Sequence, residues 1–188
     1  MCRVIAIAND KAGVGKTTTT HELAEAFARR GVRARVINAD PMQAPDLIEF
    51  EMSEADTESK WGHFRSVADS MRDECDVILI DCPSSLGMLT SSALAAADEV
   101  VIPVRCECKA TEGLARLLNQ IKTVKATRNP ALKINGILLT MADERLRLTV
   151  VVYAELKAMF GDKLFETVIR RGHLEDYDVL ASEIGALL

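Results

Sequence analysis

Short apolar runs alternate along this chain with segments in which apolar residues recur at three and four. The runs near Val4–Ala8, Ala34–Asn38, Val77–Asp81, Val100–Val104 and Ile134–Thr140 have the length of buried β-strands. A sixth, around Lys163–Val168, carries a weaker pattern. The helical period predicts helices over Thr18–Arg30, Thr57–Arg72, Leu89–Ala96, Glu112–Thr127, Thr149–Phe160 and Asp176–Leu187. In the first of these, Leu23, Ala26 and Phe27 share the face that would be buried. Strand and helix alternate, and the strands read as continuously apolar rather than in-and-out. Such strands are covered on both sides, so the pattern predicts an α/β fold with a mostly parallel central sheet and helices on both faces. Gly31, Gly136 and Gly161 mark element ends. No repeat, low-complexity tract or linker interrupts the pattern, and 188 residues suffice for a full core, so residues 1–188 are expected to form a single domain.

The first strand and first helix enclose Lys11-Ala12-Gly13-Val14-Gly15-Lys16-Thr17, followed by Thr18. Strand, glycine loop and helix is the context in which a loop cradles phosphate. Gly13 and Gly15 allow backbone N–H groups to turn toward phosphate oxygens, and the helix start adds its partial positive charge. Lys16 is placed to reach the β- and γ-phosphates, and the Thr17 hydroxyl to ligate Mg²⁺. The plain pattern G-x-x-x-x-G-K-[ST] wants glycine at position 10, where this chain has Asp10. The match is to the deviant form K-G-G-x-G-K-[ST], in which Lys11 is an additional cation. The competing reading of these residues is a chance glycine turn.

Two strands end in carboxylates. Val77-Ile78-Leu79-Ile80 leads to Asp81, and ligands of open α/β sheets bind beyond the C-terminal strand ends. Asp81 therefore reads as the acidic residue that acts on Mg²⁺, directly or through water; a strand-capping aspartate is the plainer alternative. The second strand runs into Asn38-Ala39-Asp40-Pro41, where Asp40-Pro41 is in isolation no more than a common turn.

These residues resemble the ParA/MinD family of dimerising deviant Walker A ATPases. Asp81-Cys82-Pro83-Ser84-Ser85-Leu86-Gly87 is similar to the family's switch segment. Ala97–Val104 is similar to its next strand, Glu112-Gly113-Leu114 to a helix start, and Ile134–Met141 to the strand that leads to the base pocket. Together they resemble the ParA/Soj partition branch. The resemblance implies ATP and Mg²⁺ as cofactors, a nucleotide cradle of Lys11, Ala12, Gly13, Val14, Gly15, Lys16, Thr17 and Thr18, and metal contacts from Thr17 and Asp81. It implies Asp40 as the residue that orients the attacking water, and Lys11 as a lysine that crosses to a partner's nucleotide. It further implies a homodimer with ATP, non-specific DNA binding in that state, and a partner protein that stimulates slow hydrolysis. The chain departs from the family at several points. Ala12 replaces a glycine, and would carry strain if the position needed a positive φ. Asn38 stands where aspartate is usual, Met42 is inserted before Gln43, and Ser84 follows Pro83 in place of a second proline. The segment from Asp40 to Asp81 is short, and the chain omits a loop after Arg170-Arg171-Gly172 that helps enclose adenine.

Composition narrows the alternatives. Hydrophobic residues make up 48% and charged ones 27%, a globular balance without an uncharged run long enough to span a bilayer. The first strand follows Met1 at once, leaving no room for a cleavable signal, so a cytoplasmic location is expected, at the nucleoid if DNA is bound. The five cysteines lack zinc-type spacing; Cys106 and Cys108 are read as small fillers rather than metal ligands. The net charge of −5 argues against indiscriminate nucleic-acid binding, yet Arg105–Arg171 carries thirteen Lys/Arg against seven Asp/Glu. Arg145, Arg147, Lys157, Lys163, Arg170 and Arg171 are the candidate DNA contacts on such a basic face, with scattered solvated cations as the alternative. Asp46–Ser59 is acidic and reads as solvated, and Trp61 and Phe64 read as core or interface anchors. Within the fold, the rivals are a MinD-like membrane switch, a small-molecule enzyme with the same loop, including an iron protein, and a degenerate member that no longer switches. The tail from Glu175 is acidic, which anionic lipid would repel, and no second well-spaced cysteine joins Cys82 to hold a cluster.

Overall fold

The computed structural model describes residues 2–44, 46–47, 57–143 and 145–185, and within them six strands form one sheet. The strands are β1 (Arg3–Ile7), β2 (Ala34–Asn38), β3 (Val77–Asp81), β4 (Glu99–Arg105), β5 (Lys133–Ala142) and β6 (Leu164–Arg170). Their order is β2-β3-β1-β4-β5-β6, and every pairing is parallel. The sheet is thus parallel throughout. The weak sixth run is a strand, shifted slightly later than its sequence pattern suggests.

Helices α1 (Lys16–Arg29), α2 (Thr57–Met71), α3 (Met88–Ala96), α4 (Leu114–Thr127), α5 (Arg147–Phe160) and α6 (Asp176–Gly185) cover the two faces. Alternate residues of the inner strands point to opposite sides. Val4, Ala6, Ile78 and Ile80 join a cluster with Phe64, Leu94, Leu117 and Leu156 from α2 to α5. Ile5, Ile7, Val77 and Leu79 join Leu23, Ala26 and Phe27 of α1 and Tyr177, Leu180 and Ile184 of α6. Both sides of β1 and β3 are buried, which is why these strands are apolar without interruption. Phe27 is 1% exposed, and truncating such a side chain to alanine costs about 3–5 kcal/mol. The apolar face of α6 is used against α1 in this core. Trp61 lies half-buried with the Arg128 guanidinium 5.1 Å from its ring centre, and Phe64 is buried, so both act as anchors of the fold. The acidic stretch Asp46–Ser59 lies mostly outside the described residues.

The strand order reverses around β1: the chain leaves β1 toward β2 on one side and later crosses to β4 on the other. A crevice forms at such a reversal, beyond the C-terminal strand ends. The register puts Ile7 beside Asp81 and Asn38 beside Asp81. Three strand ends thereby deliver residues 8–18, Asp40 and Asp81 to one place.

Candidate nucleotide-binding site

Gly13 and Gly15 take φ values of +69° and +92°, which a side chain at either position would strain. Gly15 is the N-cap of α1, so the helix begins at Lys16 rather than two residues later. Among the described residues no side chain caps it and no acid sits in its first turn, leaving the N–H groups of that turn available to an anion. The loop is anchored from below: Val14 is buried, and its carbonyl accepts a hydrogen bond from Thr140 Oγ1 at 2.8 Å. Asn9 is buried beside it, donating to the Pro103 carbonyl at 2.7 Å and accepting from the Lys11 N–H at 3.0 Å. Ala12 is exposed and keeps a negative φ, so the strain considered for an alanine at this position does not arise.

Lys16 is 6% exposed, its Nζ donating to Ser84 Oγ at 2.8 Å and to the Lys11 carbonyl at 3.1 Å. Burial lowers its affinity for a proton, and the nearby carboxylates of Asp81, Asp40 and Asp10 oppose that shift. Phosphate oxygens would supply the counter-charge this ammonium lacks. Thr17 Oγ1 donates to Asp81 Oδ2 at 2.7 Å, and the other carboxylate oxygen of Asp81 is buried without a hydrogen-bond partner. Burial raises the Asp81 carboxyl above the usual range, against the Thr17 hydrogen bond and the Lys16 charge. An unpartnered buried carboxylate oxygen beside a hydroxyl is a donor set suited to Mg²⁺, a hard cation that prefers oxygen. The residues fit that ion.

Asp40 sits in a tight turn at the same site. Its carbonyl accepts from Gln43 N and Ala44 N at 2.9 and 3.0 Å, and its Oδ1 accepts from Met42 N at 3.0 Å. Lys11 is turned toward the segment after β4, where its Nζ pairs with Glu107 and lies 3.4 Å from the Lys109 carbonyl. Asp10 occupies the place of the plain motif's glycine. Its side chain is 5% exposed, lies against Gly113 at the start of α4, and has the Arg116 guanidinium 3.0 Å away. A hollow of about 220 Å³ opens beside the loop, lined by Gly15, Thr18, Met141, Ile169, Arg171 and Tyr177 among others. Met141 in that lining has a φ of +54°, the one non-glycine residue with positive φ among those described.

The structure divides the six candidate DNA contacts. Arg145, Arg147, Arg170 and Arg171 lie at the C-terminal end of β5 and β6, beside the crevice. Lys157 lies in the last turn of α5, and Lys163 closes the 3-10 turn Gly161–Lys163 before β6, so both lie at the opposite end of the sheet. Lys157 there lines a groove with Asp162, Glu166 and Glu183. Arg170 is committed to Asp176, whose carboxylate takes its Nε, its Nη2 and its backbone N–H. The single basic face expected over these six is corrected to a smaller group at the nucleotide end. An excess of cations along the sequence does not say which end of a strand or helix each one occupies.

Four contributors are given no role by the sequence reading, although Ser84, Thr140 and Gln43 lie in stretches it quotes: Ser84 on Lys16, Thr140 under the loop, Glu107 on Lys11, and Gln43, whose Nε2 reaches Thr17 Oγ1 and Asp81 Oδ2. Each is a lone polar residue in a loop or at a strand end, recognisable only once the strands are aligned.

A strand-borne phosphate loop, a buried lysine in it and a hydroxyl–carboxylate pair for Mg²⁺ define a P-loop ATPase. The AAA domain family model matches residues 2–45 and 42–134. The chain is 35% identical to the sporulation initiation inhibitor protein Soj of Bacillus subtilis, with 91% of the chain and 85% of that protein covered. It is 38% identical to the chromosome-partitioning ATPase Soj of Thermus thermophilus, over 90% of the chain and 81% of that protein. Among solved structures it superposes on cobyrinic acid a,c-diamide synthase from Mycobacterium smegmatis, with bound ADP and magnesium, at a TM-score of 0.84 and 26% identity, covering 97% and 93% of the two chains. The chain belongs to the ParA/Soj family of partition-type ATPases. The Soj alignment runs over 215 positions for a chain of 188 residues, so that relative carries segments that this chain lacks. The two family-model blocks meet at 42–45, just after Asp40.

Proposed function

We propose that this ATPase is a dimerising switch of the DNA-partition type, formed by residues 1–188 as a single domain. It binds ATP with Mg²⁺, joins a second copy across the nucleotide face, and hydrolyses slowly until a partner protein stimulates it. In the ATP state it contacts DNA backbone without sequence preference. The nucleotide-binding part of the reading is carried by the Thr17–Asp81 pair, with its unpartnered carboxylate oxygen, next to the buried Lys16, and the partition part by the similarity to the Soj proteins.

Mg²⁺ held by Thr17 and Asp81 would supply positive charge against phosphate oxygens. The chain's own groups do the rest. Residues 12–18 present backbone N–H groups to phosphate, Lys16 neutralises its charge, and Thr17 and Asp81 hold the cation. Asp40 orients the attacking water. Lys11 leaves Glu107 to reach the partner's nucleotide, where an ammonium stabilises charge developing on phosphate oxygens. The hollow beside Thr18 and Met141 receives adenine. Met42, 88% exposed next to Asp40, and the exposed Ala12 lie on the face that dimerisation would cover. Arg145, Arg147 and Arg171 are the remaining DNA contacts. The protein acts in the cytoplasm, at the nucleoid when DNA is bound.

A membrane-switch reading is disfavoured because the apolar face of α6 is spent on the core. A small-molecule-enzyme reading draws on the name of the 26%-identical solved structure, whereas the two Soj proteins stand at 35% and 38%. Sedimentation with Mg²⁺ and a non-hydrolysable ATP analogue tests the switch. A shift from monomer to dimer is expected, and a monomer in every nucleotide state would exclude it.

A further inference from the structure

We propose that Gln43 competes with the divalent cation for its oxygen ligands: its amino group donates to Thr17 Oγ1 and Asp81 Oδ2, and Asn38 fixes that orientation. Gln43 is thus a positioning residue, and the inference rests on reading Thr17 and Asp81 as the magnesium-binding pair.

The polarity of the network is set from the backbone. The Asp40 N–H can only donate, and it donates to Asn38 Oδ1 at 3.0 Å. The Asn38 amide must therefore turn its Nδ2 the other way, where it donates to Gln43 Oε1 at 3.2 Å. That leaves Gln43 Nε2 facing the site, donating to Thr17 Oγ1 at 3.1 Å and to Asp81 Oδ2 at 3.3 Å. The Thr17 hydroxyl itself donates to the same Asp81 oxygen at 2.7 Å. Each link dictates the next, so neither amide can flip alone without setting donor against donor or acceptor against acceptor.

The result is a positive N–H dipole aimed at two oxygen ligands. It holds them together and partly offsets the buried Asp81 charge, but it repels a cation. For Thr17 Oγ1 and Asp81 Oδ2 to take one together, the Gln43 amide must swing out or turn over, whereas Asp81 Oδ1 already has no hydrogen-bond partner. Gln43 belongs to the Asp40–Ala44 turn, in which its own backbone N–H donates to the Asp40 carbonyl. The same turn carries Asp40, the group proposed to orient water. A carboxylate at position 38 would have no donor for Gln43 Oε1. Asn38→Asp would let the glutamine turn over and offer its carbonyl oxygen to the site.

Mn²⁺ is the probe, titrated into the ADP complex of the full chain and followed through the electron paramagnetic resonance of the free ion. Gln43→Leu keeps the bulk and removes the donor, and it should bind Mn²⁺ roughly fivefold more tightly, the loss of one or two modest hydrogen bonds. The chain has two glutamines, Gln43 and Gln120, so the Gln43 side-chain amide signal in a ¹⁵N spectrum is assigned by its loss in that variant. The signal should move when Mg²⁺ is added to the parent, and should move in Asn38→Asp before any cation is present. Equal or weaker Mn²⁺ binding by Gln43→Leu, or an amide signal indifferent to Mg²⁺, would overturn the proposal. Thr17→Val and Asp81→Asn should each weaken Mn²⁺ binding. If both leave it unchanged, the fault lies with the magnesium-binding pair itself, and the two failures are told apart.

Discussion

Lys11 and Glu107 form an ion pair that ties the phosphate loop to the segment after β4, and each side chain keeps about a third of its surface exposed, at 34% and 31%. Glu107 is held below its usual range first by the hydrogen bond from Lys11. A pair this open is weak, worth about 1 kcal/mol or less, so a stronger acceptor can take the lysine away. Lys11→Ala should leave ATP binding by the monomer largely intact. It should lower hydrolysis on the order of a hundredfold, as expected for losing a cation that meets developing charge. Hydrolysis at the parental rate would make Lys11 an ordinary surface lysine. Glu107→Gln, which releases Lys11 in advance, should strengthen ATP-dependent self-association by up to about fivefold.

Asp40→Ala removes the carboxylate proposed to orient water and spares the cradle. Titration calorimetry should show retained ATP affinity, while turnover falls by at least about a hundredfold and the ATP-bound form accumulates. Loss of ATP binding instead would move Asp40 to a metal or structural role.

The exposed Ala12 methyl carries no backbone strain, so its effect is confined to what approaches from outside. Ala12→Gly should tighten ATP-dependent dimerisation if a second copy closes over this loop. It should leave the monomer's melting temperature nearly unchanged. Sedimentation with a non-hydrolysable analogue measures the first, and no change would place the loop away from any tight contact.

Much of this fold can be read from the chain because burial on both faces writes itself into β1, β3 and β4 as unbroken apolar runs. Leu23, Ala26 and Phe27 mark the buried face of α1 for the same reason. β6 is fainter because it is an edge strand that carries exposed Glu166 beside Thr167, which bonds to Glu183 of α6. The periodicity puts the start of α1 too late because Lys16 and Thr17 are polar and look like loop, although Gly15 caps the helix ahead of them. Lys16, Thr17, Asp40 and Asp81 are brought together by three parallel strand ends, as their positions after apolar runs suggest. The contacts of Ser84, Gln43 and Thr140 are silent, even though the residues lie in stretches that carry the resemblance, because a single hydroxyl or amide has no periodicity to betray its partner.

DNA binding separates the two ends of the sheet. Arg145→Ala with Arg171→Ala should weaken ATP-dependent shifts of unrelated duplexes and flatten the salt dependence. Each phosphate that is no longer neutralised by a side chain lowers the slope of log K against log salt by about 0.9. Lys157→Ala with Lys163→Ala, at the far end beside acidic side chains, should change little. Equal weak binding with ATP, ADP and no nucleotide would leave the switch to be read by something other than DNA.

The central claim is that residues 11–18 with Asp81 form a phosphate and magnesium cradle. Isothermal titration of ATP with Mg²⁺ into the parent and Lys16→Ala tests it most directly, since Lys16 is the buried cation of the loop. The parent should bind one nucleotide per chain, Mg²⁺ should strengthen that binding, and Lys16→Ala should abolish it. Unchanged ATP affinity in Lys16→Ala would contradict the account.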